Sequence, residues 1–184
     1  MTAALAALSL LLAAAPDPRA YTVDPAQSTI RYHVNHKLHA ADGHSSTIEG
    51  KAVIQPDGKV LTMLRVPVAS FDSGDANRDS NMRETLEASK YPFVVFKGVT
   101  NLVFPAARGK PLPTTIQGEL DFHGVKRPLQ VPVTLEFAAD GSATVTGKLH
   151  VSLESYKVER PSLLMIRLDD DCAVQFDLKL RAGA

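Results

Sequence analysis

Four histidines, His33, His36, His39 and His44, fall within one short stretch of this 184-residue chain, and His123 stands in a later turn. Clustered imidazoles are the commonest route to a metal site, so that chemistry is weighed first. Thr29 to His36 reads as a strand, and on a strand His33 and His36 face opposite sides and cannot share one ion without a bulge. His36 and His39 would converge where the strand ends, giving a metal ligand pair or an acid/base pair. No carboxylate or cysteine stands at a spacing that completes such a set. The simpler expectation is a pocket-rim histidine at 36 and solvated ones elsewhere.

Other chemistry-bearing groups are thinner. There is no G-x-S-x-G nucleophile turn and no phosphate loop. Cys172 is the single cysteine, so no intrachain disulfide forms, and no activating pattern surrounds its thiol. Asp169-Asp170-Asp171 lacks the glycine-bent loop of a calcium site and reads as a solvated acidic turn. Arg78-Asp79 is more informative. Asp79 suits a helix N-cap, which leaves Arg78 to form an ion pair or to point into a cavity mouth. These features argue for a binding protein rather than an enzyme, and they call for no cofactor.

The elements that would position these residues alternate apolar and polar. Ile30, Tyr32, Val34 and His36 alternate with Thr29, Arg31, His33 and Asn35; Leu129, Val131, Val133, Leu135 and Phe137 repeat the pattern, as do Val174, Phe176, Leu178 and Leu180. Period two is the signature of strands with one apolar face. Turn signals fall at Asp42-Gly43, Pro56-Asp57-Gly58, Arg108-Gly109-Lys110, His123-Gly124-Val125 and Asp140-Gly141. Strands are expected over 21–36 (with a bend at Asp24-Pro25), 47–55, 60–68, 93–103, 114–122, 128–137, 143–151 and 172–180. One short helix is expected from Asp79 to about Ser89, with Met82 and Leu86 on one face and Tyr91-Pro92 as its stop. The expected fold is all-β: an antiparallel up-and-down barrel of about eight strands with one short helix.

Residues 1–20 read as a signal peptide and linker, because Thr2 to Ala15 is almost wholly Ala and Leu, and residues 21–184 as one barrel domain. The protein is therefore expected to be periplasmic or secreted. Basic and acidic residues balance at 20 each, so no excess of positive charge points to nucleic acid. After residue 20 no stretch approaches the ~18 apolar residues of a membrane span.

The motifs resemble the YceI-like family of polyisoprenoid-binding proteins. Tyr21-x-x-Asp24, Ser28-x-Ile30 and His36 are similar to its opening strand. Ser70-Phe71-Asp72-Ser73-Gly74, Asn77-Arg78-Asp79, Met82-Arg83 and Lys90-Tyr91-Pro92-x-x-x-Phe96 follow its central block. Gly118-x-Leu120-x-Phe122-His123-Gly124-Val125-x-x-Pro128 is similar to its second, and Gln175-x-Asp177-Leu178 to its close. The chain departs from the pattern at Gln27, where the family carries histidine. The resemblance implies a lipocalin-like barrel with a bound isoprenoid or long acyl lipid inside, as store or carrier. The expected ligand-binding residues are the apolar face, Ile30, Tyr32, Val34, Leu64, Val66, Val94, Phe96, Leu120, Phe122, Val131, Val133 and Leu149. His36, Arg78 and Tyr91 are expected at the polar end, donating to a head-group oxygen. A barrel serving only as an interaction module, or as a homodimer through a strand edge, is the remaining alternative; Pro67 and Pro132 argue against long free edges.

Overall fold

The computed structural model describes residues 19–36, 40–103, 106–160, 162–163 and 166–183. The expected leader, apart from its last two residues, lies outside them, and so does His39.

The expected first strand is two strands. β1 (Arg19–Val23) and β2 (Thr29–Val34) are separated by a 3-10 turn at Pro25–Gln27. Proline presets the first turn residue, and the buried Asp24 carboxylate caps it, accepting from the Ala26 amide (3.2 Å) and the Gln27 side-chain amide (2.7 Å). An unexpected strand, β3 (Ala41–Ser45), follows β2, and the expected strand over 47–55 is β4 (Glu49–Ile54). β5 (Lys59–Pro67) leads to helix α1 (Ala76–Thr85), and β6 (Phe93–Asn101), β7 (Leu112–Phe122), β8 (Val125–Phe137) and β9 (Ala143–Ser152) follow as a meander. A small ladder, β10 (Ser162–Leu163) with β11 (Ile166–Arg167), precedes the long closing strand β12 (Asp171–Ala182).

The order β1-β4-β5-β6-β7-β8-β9-β12 closes on itself through β12–β1 pairs such as Val23↔Leu180. This is a closed eight-strand antiparallel barrel; β2 and β3 are the two extra strands. β12 pairs β9 along one edge. Its other edge takes β2 (Cys172↔Val34 to Asp177↔Thr29) and then β1 in tandem. Pro56-Asp57-Gly58 makes the expected hairpin turn: Gly58 has φ 85°, and a Cβ there would stand 2.2 Å from the Leu102 carbonyl oxygen.

Two expectations are corrected. The turn expected at Asp42-Gly43 is not one: both residues lie within β3, paired with β2. Gly43 is needed there because a Cβ would come within 2.5 Å of the Tyr32 ring, so the glycine serves packing rather than a turn. The helix starts earlier than expected, and its N-cap is Asp75, whose carboxylate accepts from the Asn77 (2.9 Å) and Arg78 (3.1 Å) amides. Asp79 sits inside the helix, buried, and accepts from the Ser73 amide at 3.0 Å. The helix ends at Thr85, ahead of the left-handed Glu87 (φ 44°), rather than running on to Ser89.

Two apolar clusters form the core. The first closes one end of the barrel, where Tyr21 meets Phe137 edge-on (6.1 Å) among Ile54, Leu102, Leu135 and Leu180. The second, at the other end, gathers Val34, Leu120, Val151, Leu153, Tyr156, Val158 and Cys172, with Leu86 from beyond α1 packed on it.

Asp24 also receives Arg181 at 2.8 Å, and the Gln27 hydrogen bond, chiefly, holds its carboxyl below the ordinary carboxylate range. A lowered folded-state pKa stabilises above the unfolded value and is lost as pH falls through the folded one. Urea titrations should show the wild type losing more stability between about pH 5 and about pH 3 than Asp24→Asn, which has no carboxyl there to protonate. Parallel pH profiles for the two would exclude this role.

Candidate functional site

Strand alternation sends one apolar side chain in every two toward the barrel axis. Between the two end clusters these side chains do not meet. They surround a cavity of about 760 Å³, within the usual range for small-molecule sites. Leu64, Phe96, Ile116, Leu149 and Val174 point into it and stay only partly buried, although their strands are fully paired. In a solidly packed eight-strand barrel these positions would be closed.

The expected lining residues gather on this cavity. Ile30, Val66, Val131 and Val133 belong to the first cluster, and Leu64 packs against it. Val34 and Leu120 belong to the second, with Tyr32, Val94 and Phe122 against it. Phe96 and Leu149 touch both clusters. His36 and Arg78 also line the cavity. Tyr91 does not. Its ring lies edge-on to His123 (4.9 Å) and over Gly124, where a Cβ would stand 2.3 Å from the ring. The left-handed Gly124 (φ 71°) makes the room that draws Tyr91 away from the mouth.

Most of the charged lining groups collect at one end; toward the other, the buried Thr100 hydroxyl is bonded to Thr114 at 3.1 Å. Two backbone hydrogen bonds between His44 and Asp72 (2.9 and 2.8 Å) tie the segment before α1 to β3. Ser45 and Ser70 hydroxyls bond at 2.7 Å, and Ser70 donates to the Pro67 carbonyl. These ties lay α1 across the barrel end. Arg78, Asn81 and Glu84 are exposed and line the cavity as well, so the cavity reaches the surface beneath the helix. Among the described residues the Arg78 guanidinium makes none of the ion pairs. Arg160 lines the same end with its guanidinium engaged, donating to the Leu168 carbonyl (3.1 Å) and to Glu154 (3.4 Å).

Burial, followed by the nearby Asp79 charge, pushes the Tyr32 hydroxyl up to about 12, so it stays a neutral donor. Burial likewise pushes the Cys172 thiol up to about 12, which makes it an inert core residue. Among the described residues no group of three His, Cys, Asp or Glu side chains is arranged to hold a metal ion. His33 faces outward, bonded to Asp42 at 2.6 Å, so it and His36 stand on opposite faces as the alternation requires. His123, expected to be solvated, is buried at 8 % side-chain exposure. Its Nδ1 donates to the Tyr156 carbonyl (3.1 Å), and Nε2 stands 3.1 Å from Glu87 without hydrogen-bond alignment. The acidic run is also structural: Asp170 accepts from the Glu154 amide and Asp171 bonds His150.

Sequence reasoning missed Phe71, Asn81, Thr85, Arg160 and Leu168. Met82 and Leu86 were visible as an i, i+4 apolar pair, and that pair faces the cavity. The arrangement suits an amphipathic chain. Each methylene moved from water into such a cavity contributes about 0.8 kcal/mol, and a head at the mouth needs few partners.

The YceI-like domain model matches residues 21–180. Among solved structures, the polyisoprenoid binding domain from Saccharophagus degradans, implicated in plant cell wall breakdown, superposes with a TM-score of 0.74 at 18% identity, over 89% of this chain and 98% of that one. BcnA of Burkholderia cenocepacia gives 0.71 at 20% identity, over 85% and 98%. The Campylobacter jejuni YceI protein gives 0.54 at 14%, over 82% and 84%. No curated protein matches the chain.

A hollow interior responds to added volume differently from a filled one. Leu149→Phe should shift the melting temperature by less than about 2 °C, since the ring enters existing space. In a filled core the same change costs about 1–3 kcal/mol, and calorimetry would then show a drop of roughly 3–10 °C.

Proposed function

This chain belongs to the YceI-like family, and we propose that it is an exported lipid-binding protein that stores or carries a long isoprenoid or similar acyl chain inside its barrel. One observation carries the reading: the cavity of about 760 Å³ is lined mostly by apolar side chains, and its charged side chains His36, Arg78, Glu84 and Arg160 gather at the end under α1, with Lys51, Thr62 and Thr100 the polar residues elsewhere on its wall. A chain with a quinone-like or similar oxygen-bearing head fits that polarity. Its tail would lie along Leu64, Phe96 and Leu149, toward Val131 and Val133. Its head would meet Arg78 and His36, with the neutral Tyr32 hydroxyl nearby as a further donor. The similar Saccharophagus structure, that of a polyisoprenoid binding domain, supports the ligand class. The Ala- and Leu-rich stretch from Thr2 to Ala15 supports export.

The reading is of binding rather than catalysis. Tyr32 and Cys172 are both held protonated by burial, which suits a lining and not a reactive centre. No helix among the described residues is long and apolar enough to cross a membrane.

Native mass spectrometry of the protein purified from its own compartment, followed by organic extraction, tests this. The expected result is a discrete added mass that extracts as an isoprenoid or acyl species. A ligand-free mass that stays unchanged after incubation with a long-chain quinone and a fatty amide would overturn it. Arg78→Ala should cut occupancy about tenfold while leaving the melting temperature within about 2 °C, because Arg78 is exposed and a charged hydrogen bond is worth about 1.5–3 kcal/mol. A large loss of melting temperature with unchanged lipid content would make Arg78 a structural residue.

A further inference from the structure

The outer face of β4, β5 and β6 breaks the rule that a barrel's wet face is polar. Register sets the side chains in rows across the three strands. Val53, Leu61 and Val99 form one row, and Lys51, Met63 and Lys97 form the next. Leu61 is 42% and Met63 40% exposed, large values for apolar side chains in the middle of a paired strand. Phe93 continues the surface toward the α1 end at 37% exposure, with the Arg65 guanidinium stacked 4.5 Å over its ring.

The charge on this face is one-sided. β4 to β6 carry Lys51, Lys59, Arg65 and Lys97 against the single acid Glu49, which Arg65 engages at 2.6 Å. The whole chain, by contrast, has a formal net charge of +0. Lys51, Lys59 and Lys97 make none of the ion pairs among the described residues. An apolar row edged by unpaired lysines is what an anionic bilayer surface selects. The apolar tips enter the boundary between head groups and acyl chains, while the lysine stems lie flat and hold their ammonium groups at the phosphates. A protein partner would need acids matched to each lysine; a lipid surface supplies negative charge everywhere and adapts to the row.

We propose that the β4–β6 face is a docking surface for anionic membranes. The proposal does not depend on what the cavity holds, although Lys51 and Met63 also border the cavity wall between β4 and β5. Docking here would set the barrel side-on to the bilayer, with Phe93 nearest the end covered by α1.

Co-sedimentation of the full chain with vesicles tests it. One set is pure phosphatidylcholine and the other carries about 30% phosphatidylglycerol. The apolar stretch before residue 16 is common to every variant, so only differences between variants and between vesicles are read. Binding to the anionic vesicles should be at least about tenfold tighter, and should weaken about tenfold when salt rises from about 0.1 M to about 0.5 M. Lys51→Gln with Lys97→Gln should lose about 30-fold on anionic vesicles only. Leu61→Gln with Met63→Gln should lose about tenfold on both sets. Lys148→Gln, a lysine removed from another face, is the control and should match the wild type. Equal binding to both vesicle types would overturn the proposal, as would a loss in Lys148→Gln equal to that of the lysine pair. So would a dimer in light scattering that Leu61→Gln with Met63→Gln dissolves, since a second copy would then own the face.

Discussion

The barrel's dimensions depend on the corner at Asp24. A closed sheet has to bring its first strand back to its last, and here β12 accepts β2 and then β1 along a single edge. The chain changes direction between those two pairings within a few residues, and a buried carboxylate holds that change. Asp24 caps the 3-10 turn, takes Arg181 from β12, and its backbone amide donates to the Lys179 carbonyl at 2.8 Å. The turn is thereby fastened to the strand it must pair with. Ser28, on the far side of the turn, accepts from the Lys179 amide at 3.0 Å and completes the attachment. With the corner fixed, register runs around the sheet, and register decides which side chain of each pair faces inward.

A hollow interior works against the packing that stabilises a small domain, because side chains around a space lose the contacts that a filled core gives. The chain offsets this by concentrating its closed packing at the two ends. The Tyr21–Phe137 end is plugged by large residues and carries no charge in its cluster. The other end is closed more loosely: α1 has Met82 as its one large apolar residue and is attached by a serine pair, a two-bond bridge and Asp79. The contrast gives the cavity a direction. Charged groups can be tolerated only where water or hydrogen-bond partners reach them, and His36, Arg78, Glu84 and Arg160 stand at the α1 end.

The architecture was legible because alternation is a local property: each strand from β4 to β9 and β12 could be read within its own residues. What was not legible depended on distant partners. Asp42-Gly43 has turn composition, yet Tyr32 of the neighbouring strand needs the missing side chain. Asp75 and Asp79 are equally good caps by residue type. The choice falls to Asp75 because the amide of Ser73 occupies Asp79. Tyr91 stands beside the helix end and looked available to the mouth, but Gly124, from a separate block, supplies the flat surface it packs on. His36 and Arg78 line the cavity, His36 from just beyond β2 and Arg78 from inside the first turn of α1 rather than from the loop ahead of it.

The two faces of β5 show how much one strand can encode. Val60, Leu64 and Val66 alternate inward as a barrel demands. A wet outer face would then read polar throughout, as β7 does with Thr115, Gln117, Glu119 and Asp121. β5 instead carries Leu61 and Met63 outward, Leu61 between Val53 and Val99 and Met63 between Lys51 and Lys97. Neither side chain belongs to either core cluster, although Met63 also borders the cavity wall. Residues that the fold does not require, and that cost solubility where they stand, have to be explained by something outside the barrel. The flanking lysines specify its charge, and the closed hydrogen bonding of β4, β5 and β6 excludes an added strand as the means of contact.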